Sequence, residues 1–151
     1  MEYQLSQIAA IVGGGFSGTD STVQSVVTDS RSLSCELGCC PMFVAMRGAN
    51  HDSHGFVAQM SARGVRAFLV ERGVEASSCT GEMRARGVRA FLTERAVDAA
   101  PGCGYVVVRN AIEALQRLAS YHRAQFRGTV VGITGSNGKT VIKEWIAEEL
   151  P

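Results

Sequence analysis

The sequence lacks a long apolar run, a strong charge of one sign and a secretory leader. No apolar stretch among its 151 residues approaches the length of a membrane span. Its 15 Lys and Arg and 14 Asp and Glu give a net charge of +1, so nothing in the balance calls for nucleic acid or an anionic membrane. The start lacks the basic and then apolar pattern of a signal peptide, and we therefore expect a cytoplasmic protein.

The cysteines give no sign of a disulfide framework or of a zinc site. Their number is odd, their spacings match no zinc pattern, and no secretory context is evident. We expect reduced, structural thiols at all five positions, which are Cys35, Cys39, Cys40, Cys79 and Cys103.

The elements that are present alternate between strand-like and helix-like segments. The strand-like segments are residues 23–28, 42–46, 66–70 and 105–108, and the helix-like segments are residues 5–12, 56–62 and 111–126. Asn110 and Glu113 form a capping-box pattern that predicts the start of the third helix. Its expected inward stripe is Ile112, Leu115, Ala119, His122 and Phe126. This alternation predicts an α/β domain with a parallel or mixed sheet.

A Gly-x-Gly-x-x-Gly pattern at Gly13, Gly15 and Gly18 suggests a dinucleotide site, but its surroundings are wrong for one. The dinucleotide fingerprint needs a strand before the glycines and a helix after them. Here a helix-like segment precedes the glycines and polar turn residues follow them. We therefore reject a Rossmann site at this position.

Residues 60–76 recur 23 positions later as residues 83–99, with 13 of the 17 aligned residues identical. Two copies are too few for a solenoid, which needs three or more repeats to bury a continuous core. The duplicated unit contains an Arg-Ala-Phe-Leu strand in each copy. We expect only one of the two strands to hold a central position in the sheet, and the other to be an edge strand or part of a long excursion.

Residues 129–150 have the order that a phosphate-binding loop requires, which is an apolar strand, a glycine turn and a helix. The turn and helix start are Gly135, Ser136, Asn137, Gly138, Lys139 and Thr140. Backbone N–H groups and the helix N-terminus suit phosphates, Lys139 can reach their outer oxygens, and the Thr140 hydroxyl can ligate Mg²⁺. The strict Walker spacing would place a glycine at Ile133, so a helix start that merely carries Gly, Lys and Thr stays an alternative.

The sequence of residues 132–140, Gly-Ile-Thr-Gly-Ser-Asn-Gly-Lys-Thr, resembles the ATP-binding loop of the Mur ligase family, which departs from the Walker pattern in the same way. Residues 28–31, 43–48 and 52–56 are similar to the first domain of the branch that joins D-Ala-D-Ala to UDP-N-acetylmuramoyl-tripeptide. The resemblance covers nearly the whole chain except the duplicated unit. Residues 139–145 are similar to a variant of this branch that is fused to alanine racemase.

The resemblance implies a small N-terminal domain at residues 1–127 that binds the UDP-sugar, and the start of an ATP-binding domain at residues 128–151. It further implies an ATP- and Mg²⁺-dependent ligase that activates the tripeptide carboxylate as an acyl phosphate, with Lys139 and Thr140 as catalytic residues and Thr140 on the metal. Other contacts of the family, including its acidic Mg²⁺ ligand, modified lysine and D-Ala-D-Ala contacts, would lie beyond Pro151. We therefore expect this fragment alone to be inactive.

The resemblance also implies which residues contact the UDP-sugar. The candidates are Asp29, Ser30, Arg31, Arg47, Gly48, Asp52 and His54. Without the resemblance, the Asp-Ser-Arg segment is more typical of a solvated turn. His51, Asp52 and His54 could also suggest a metal site, but no fourth ligand is evident and hydrogen-bonding roles are more typical.

Three alternatives to this ligase stay open. The chain could belong to a ligase that adds a different amino acid to a UDP-muramoyl acceptor, or to a folate polyglutamate ligase. It could be a non-catalytic UDP-sugar-binding module, which would leave Lys139 without a role. A generic P-loop NTPase is disfavoured by the long α/β stretch before the loop.

Overall fold

The computed structural model describes residues 2–31, 40–47, 52–71, 83, 85–95 and 101–149. Its strands are β1 (Tyr3–Gln4), β2 (Gly15–Gly18), β3 (Thr22–Val23), β4 (Ser25–Val27), β5 (Pro41–Ala45), β6 (Ala67–Val70), β7 (Ala90–Thr93) and β8 (Gly104–Val107). Its helices are α1 (Leu5–Val12), a 3₁₀ helix (Ser53–Phe56), α2 (Val57–Ala62), α3 (Ala111–Gln125) and α4 (Lys139–Glu149).

Six of the strands form one mixed sheet in the order β2-β8-β7-β6-β5-β4. The five strands from β4 to β8 are parallel, and β2 joins the β8 edge in the antiparallel direction. The sequence prediction of an α/β fold with a mixed sheet is confirmed.

The strand expected at residues 23–28 is divided in two at Gln24. β3 pairs with β1 in a separate two-stranded sheet, whereas β4 pairs with β5 in the main sheet. The Gln24 backbone N–H donates to the Cys40 carbonyl at 2.9 Å, and its side-chain oxygen accepts from the Cys40 N–H at 2.9 Å. These bonds hold the chain where it passes from one sheet to the other.

The parallel strands are apolar on both faces because each face is covered by packed elements. Successive side chains alternate between the faces, so Val44, Leu69 and Leu92 lie in one core and Phe43, Phe68 and Phe91 lie in the other. Helices α1 and α3 contribute to the leucine-containing core, and α2 contributes to the phenylalanine-containing core.

Helix α1 forms because its apolar residues recur at helical spacing. Leu5, Ile8, Ala9 and Val12 are all buried. The helix ends at Gly13, which takes φ = 71° and so accepts the left-handed conformation without the steric cost of a side chain.

Helix α3 begins where the capping pattern predicts, since the Asn110 side chain accepts from the Glu113 N–H at 2.8 Å. Most of the expected inward stripe is wrong for this helix, since of its five residues only the half-buried Leu115 packs against the core. Its buried residues are Ala111, Ala114 and Leu118, whereas Ile112 and Phe126 are exposed. Small alanine side chains facing the core let the helix lie close to the sheet and to α1, and this rotates the larger apolar residues outward.

Both strands of the duplicated unit are central and adjacent, so the expectation that only one would be central is wrong. β6 and β7 pair in parallel with identical residues opposite each other over three positions, beginning at Ala67 and Ala90. All eight residues of the two strands are buried. Each copy is apolar on both faces, so an edge position would leave a phenylalanine or a leucine in water. Adjacent central positions bury both.

The strand expected at residues 129–134 is absent, whereas the helix expected after the glycine turn is present as α4. Residues 129–134 are irregular and largely exposed, and none of the described residues pairs with them. A strand needs a neighbour to satisfy its backbone hydrogen bonds, and nothing in the described residues supplies one. No described residue after Leu118 is buried.

The glycine-rich segment after α1 is an edge strand, which agrees with the rejection of a dinucleotide site. β2 pairs with β8 residue by residue, from Gly15 opposite Val107 to Gly18 opposite Gly104. A Cβ on Gly18 would collide with the carbonyl oxygen of Cys103, so the glycine permits close approach of two backbones.

Candidate functional site

A cleft of about 610 Å³ opens at the carboxyl ends of β4 and β5. Parallel α/β sheets characteristically bind ligands at this end of their strands. Polar and aromatic residues line the cleft together: Thr28, Asp29, Ser30, Arg31, Phe43, Ser53 and Phe56. The cleft therefore combines hydrogen-bonding groups with aromatic faces, a combination that suits a nucleoside.

The lining of this cleft includes a preformed ion pair between Asp29 and Arg31. The Arg31 Nη2 and Nε atoms lie 2.9 and 3.1 Å from the two Asp29 carboxylate oxygens, and the Arg31 backbone N–H also donates to Asp29 at 2.9 Å. The Arg31 side chain lowers the pKa of Asp29, chiefly through these hydrogen bonds. The Arg31 side chain is 89% exposed, so its remaining donors face solvent and are available to an anionic ligand.

Arg63 forms a hydrogen bond with the backbone of Ser30. The Arg63 Nη1 donates to the Ser30 carbonyl oxygen at 2.7 Å. This bond ties the turn after β4 to the C-terminal end of α2. It therefore fixes the backbone that carries Asp29 and Arg31.

A second polar cluster lies next to the cleft and consists of Arg47, Asp52 and His54. Asp52 accepts from the His54 backbone N–H at 3.0 Å and lies 2.6 Å from His54 Nδ1, and Arg47 contacts the same carboxylate at 3.3 Å. The pKa of Asp52 is lowered, first by the backbone hydrogen bond from His54 and then by its side chain. The His54 Nε2 atom is buried and has no hydrogen-bond partner among the residues that the structure describes.

The structure therefore brings only part of the predicted UDP-sugar set into the cleft. Asp29, Ser30 and Arg31 line the cleft directly, whereas Arg47, Asp52 and His54 do not. The 3₁₀ helix that Asp52 caps supplies Ser53 and Phe56 to the cleft wall. Gly48 and His51 lie outside the described residues.

Sequence reasoning missed the cleft residues Thr28, Phe43, Ser53 and Phe56. Each lies inside a segment that the resemblance covers, so the signal was present. The aromatic residues were not chosen because an apolar residue in a strand or before a helix is more often core.

The glycine turn at residues 135–138 leads directly into α4. Gly135 and Gly138 have φ angles of 147° and 76°, which disfavour residues with side chains. The Lys139 ammonium folds over the turn and contacts the carbonyl oxygens of Gly135 and Ser136. An ammonium, the Thr140 hydroxyl and the free N–H groups at the start of an 11-residue helix make a donor set that fits a polyphosphate and its metal ion.

The described residues contain no cluster of three or more His, Cys, Asp or Glu side chains that could hold a metal ion by themselves. Among the helices that the structure describes, none is long and apolar enough to cross a membrane. Cys40 is an exposed free thiol and Cys103 a buried one, and the other three cysteines lie outside the described part of the chain.

Comparison with known proteins identifies the family. No protein-family model matches the chain. The UDP-N-acetylmuramoyl-tripeptide–D-alanyl-D-alanine ligase of Escherichia coli is 33% identical over 143 residues, which cover 95% of this chain and 25% of the relative. The chain belongs to the Mur ligase family. A relative with the same name from Synechocystis is 31% identical over 131 residues, covering 87% of this chain and 23% of the relative.

Other Mur ligases are similar at comparable levels. The UDP-N-acetylmuramoyl-L-alanyl-D-glutamate–2,6-diaminopimelate ligase of Cytophaga hutchinsonii is 31% identical over 124 residues, covering 81% of this chain and 20% of the relative. A solved structure of a UDP-N-acetylmuramoylalanyl-D-glutamyl-2,6-diaminopimelate–D-alanyl-D-alanyl ligase from Acinetobacter baumannii matches 83% of this chain and 22% of that chain, with a TM-score of 0.48 and 24% identity. The chain thus spans between a fifth and a quarter of the length of these Mur ligases.

Proposed function

We propose that residues 1–127 bind the UDP part of a UDP-N-acetylmuramoyl peptide, and that residues 128–151 begin the ATP-binding domain of a peptidoglycan ligase. The observation that carries the proposal is the cleft at the ends of β4 and β5, with its exposed Arg31 donors beside aromatic residues. Its location is the one that α/β folds use for ligands. The relatives are named as ligases of UDP-N-acetylmuramoyl peptides, and we take the class of ligand from these names.

In this proposal Arg31 and the neighbouring backbone bind the diphosphate, and an aromatic wall contacts the uracil. Asp29 holds the Arg31 side chain through two hydrogen bonds, so little conformational entropy is lost when the ligand binds. Phe43 and Phe56 supply apolar faces to the same cleft. Arg47, Asp52 and His54 act one step away, by fixing the 3₁₀ helix that carries part of the wall.

The reaction proposed for the whole ligase joins D-Ala-D-Ala to the tripeptide. The tripeptide carboxylate is activated as an acyl phosphate by phosphoryl transfer from ATP, and the amine of D-Ala-D-Ala then attacks it. Lys139 would exchange its contacts with the loop carbonyls for the outer phosphate oxygens, and the Thr140 hydroxyl would ligate Mg²⁺. We expect this chain alone to be inactive, because its described residues contain no cluster of three or more His, Cys, Asp or Glu side chains that could hold a metal ion, and no strand that pairs with the residues before the loop.

A second candidate is a Mur ligase that adds a different amino acid to a shorter UDP-muramoyl peptide. The similarity to the diaminopimelate ligase of Cytophaga hutchinsonii favours keeping this candidate. Both candidates share the UDP-binding cleft and the ATP loop. They differ in the peptide and amine that the complete enzyme accepts. A cytoplasmic location is proposed for either enzyme.

The test is isothermal titration calorimetry of this chain with UDP-N-acetylmuramoyl-tripeptide, with UDP alone in a parallel run. We expect saturable binding of both ligands. Arg31→Ala should weaken both by about 1.5–3 kcal/mol, the usual contribution of hydrogen bonds to charged groups. Arg127→Ala removes an equal charge at an exposed position outside the cleft, and it should leave both affinities unchanged.

Two results would contradict the proposal. One is a folded chain that binds neither UDP ligand. The other is equal weakening by Arg31→Ala and Arg127→Ala, which would mean that general charge, and not the cleft, drives the binding. Titration with UDP-N-acetylmuramoyl-dipeptide separates the two candidate ligases once the complete enzyme is used.

A further inference from the structure

The duplication gives the chain two equivalent glutamates at the ends of adjacent strands. Glu71 follows β6 and Glu94 follows β7, at the same position of the two copies. Because the strands are parallel and in register, both glutamates lie at the carboxyl-terminal end of the sheet, which is the end where the cleft opens. The hydrogen bonds of Glu71 and Glu94 can therefore be compared directly.

Glu71 is bonded to the chain that leaves β5. Its backbone N–H donates to the Ala45 carbonyl oxygen at 3.3 Å, and its Oε2 atom accepts from the Arg47 backbone N–H at 2.8 Å. The two bonds hold the chain on either side of Met46. A backbone N–H bonded to a carboxylate is a strong interaction because the acceptor is ionised.

Glu94 makes the corresponding bond to a different element. Its Oε1 atom accepts from the Ala111 backbone N–H at 2.7 Å, at the first residue of α3. This bond supplies a partner and a negative charge to the helix N-terminus. The two copies of the glutamate therefore bond to opposite sides, with Glu71 facing the chain after β5 and Glu94 facing the chain after β8.

The chain that Glu71 holds continues into the wall of the candidate cleft. The Met46 carbonyl oxygen accepts from the Ser53 N–H at 3.0 Å, and Arg47 pairs with Asp52, which caps the 3₁₀ helix. Ser53 and Phe56 of this helix line the cleft. A shift of Arg47 would therefore move the cleft wall, whereas a shift of Ala111 would not act on the wall by this route.

We propose that the duplication has divided one glutamate's role, so that Glu71 is a positioning residue for the ligand-binding wall and Glu94 holds α3. This inference rests on the proposed UDP-binding function of the cleft. In a chain with one copy of the unit, a single strand would lie between β5 and β8.

The test compares Glu71→Ala with Glu94→Ala in this chain, by titration with UDP and by amide hydrogen exchange. Glu71→Ala should weaken UDP binding about tenfold and accelerate exchange at the Arg47 and Ser53 amides. Glu94→Ala should leave UDP affinity within about twofold of the wild type and accelerate exchange at the Ala111 amide instead. Glu71→Gln keeps an acceptor oxygen, so it should recover most of the affinity and remain informative if the alanine variant fails to fold.

Equal effects of Glu71→Ala and Glu94→Ala on UDP affinity would overturn the division of roles. Unchanged UDP affinity in Glu71→Ala, with a wild type that binds, would also overturn it. If the wild type does not bind UDP, the proposed function fails separately. Hydrogen exchange then tests the positioning role of Glu71. Faster exchange at the Arg47 and Ser53 amides in Glu71→Ala, but not in Glu94→Ala, would support this role. Unchanged exchange at these amides in Glu71→Ala would overturn it.

Discussion

The central position of both duplicated strands predicts that two equivalent phenylalanines are both indispensable to the fold. Phe68 and Phe91 are 0% and 1% exposed, on adjacent strands. Truncation of a buried phenylalanine to alanine costs about 3–5 kcal/mol. Phe91 also stacks on Tyr105 with ring centroids 5.2 Å apart, which adds about 0.5–1.5 kcal/mol to its loss.

Urea denaturation followed by circular dichroism measures both variants against the wild type. With a slope of about 2 kcal/mol per molar urea, a loss of 4 kcal/mol lowers the midpoint by about 2 M. Phe126→Ala is the matched control, since Phe126 is 57% exposed and its truncation should cost less than about 1 kcal/mol. Phe68→Leu and Phe91→Leu give smaller losses that stay measurable if the alanine variants do not fold.

The reasoning is refuted if either Phe68→Ala or Phe91→Ala costs no more than Phe126→Ala. That strand would then lie outside the core, as the sequence prediction had it. Similar large losses from both would establish that the sheet has incorporated the extra strand.

Three further predictions concern acid stability, the phosphate loop and one backbone contact. The pKa of Asp52 is lowered in the folded chain by His54, so the unfolded state binds more protons than the folded state. The ionised Asp52 should therefore stabilise the fold above about pH 4, and this contribution should be lost as the pH falls through the folded pKa. Asp52→Asn should flatten the acid side of a plot of melting temperature against pH. Lys139→Ala should abolish any binding of ATP–Mg²⁺ by calorimetry without changing the melting temperature, because Lys139 is exposed. Gly18→Ala should destabilise the chain by at least about 1 kcal/mol more than Gly102→Ala in the same urea assay, since both glycines have positive φ but only the first would bring a Cβ against backbone.

The sequence was informative where one local pattern decides one local structure. Four expected strands, one of them divided at Gln24, and four expected helices formed near their places, because apolar spacing and caps act within a few residues. Asn110 is an example, since its side chain caps α3 where the capping pattern predicts. Residues 29–31, which line the cleft, were chosen through the family resemblance, because this segment by itself is more typical of a solvated turn.

The failures concern relations between distant elements. Residues 129–134 are as apolar as β8, yet strand formation needs a neighbour that the described residues do not provide. The strand of each copy has a sequence that fits a central position, and the sequence of one copy does not reveal that both strands enter the sheet. The strand order of the complete sheet shows that they do. The face of α3 that turns inward is set by its contacts with the sheet and α1, which the spacing of Ile112 and Phe126 does not reveal.

The most direct test of the account is to map UDP binding onto the amides of this chain by NMR. We predict that addition of UDP shifts the amides of residues 28–31, Ser53 and Phe56, which line the cleft at the carboxyl ends of β4 and β5. The amides on the opposite face of the sheet, in α1 and the first turns of α3, should remain unchanged. Shifts centred on those helices, or no shifts in a folded chain, would contradict the assignment of the cleft as the UDP site.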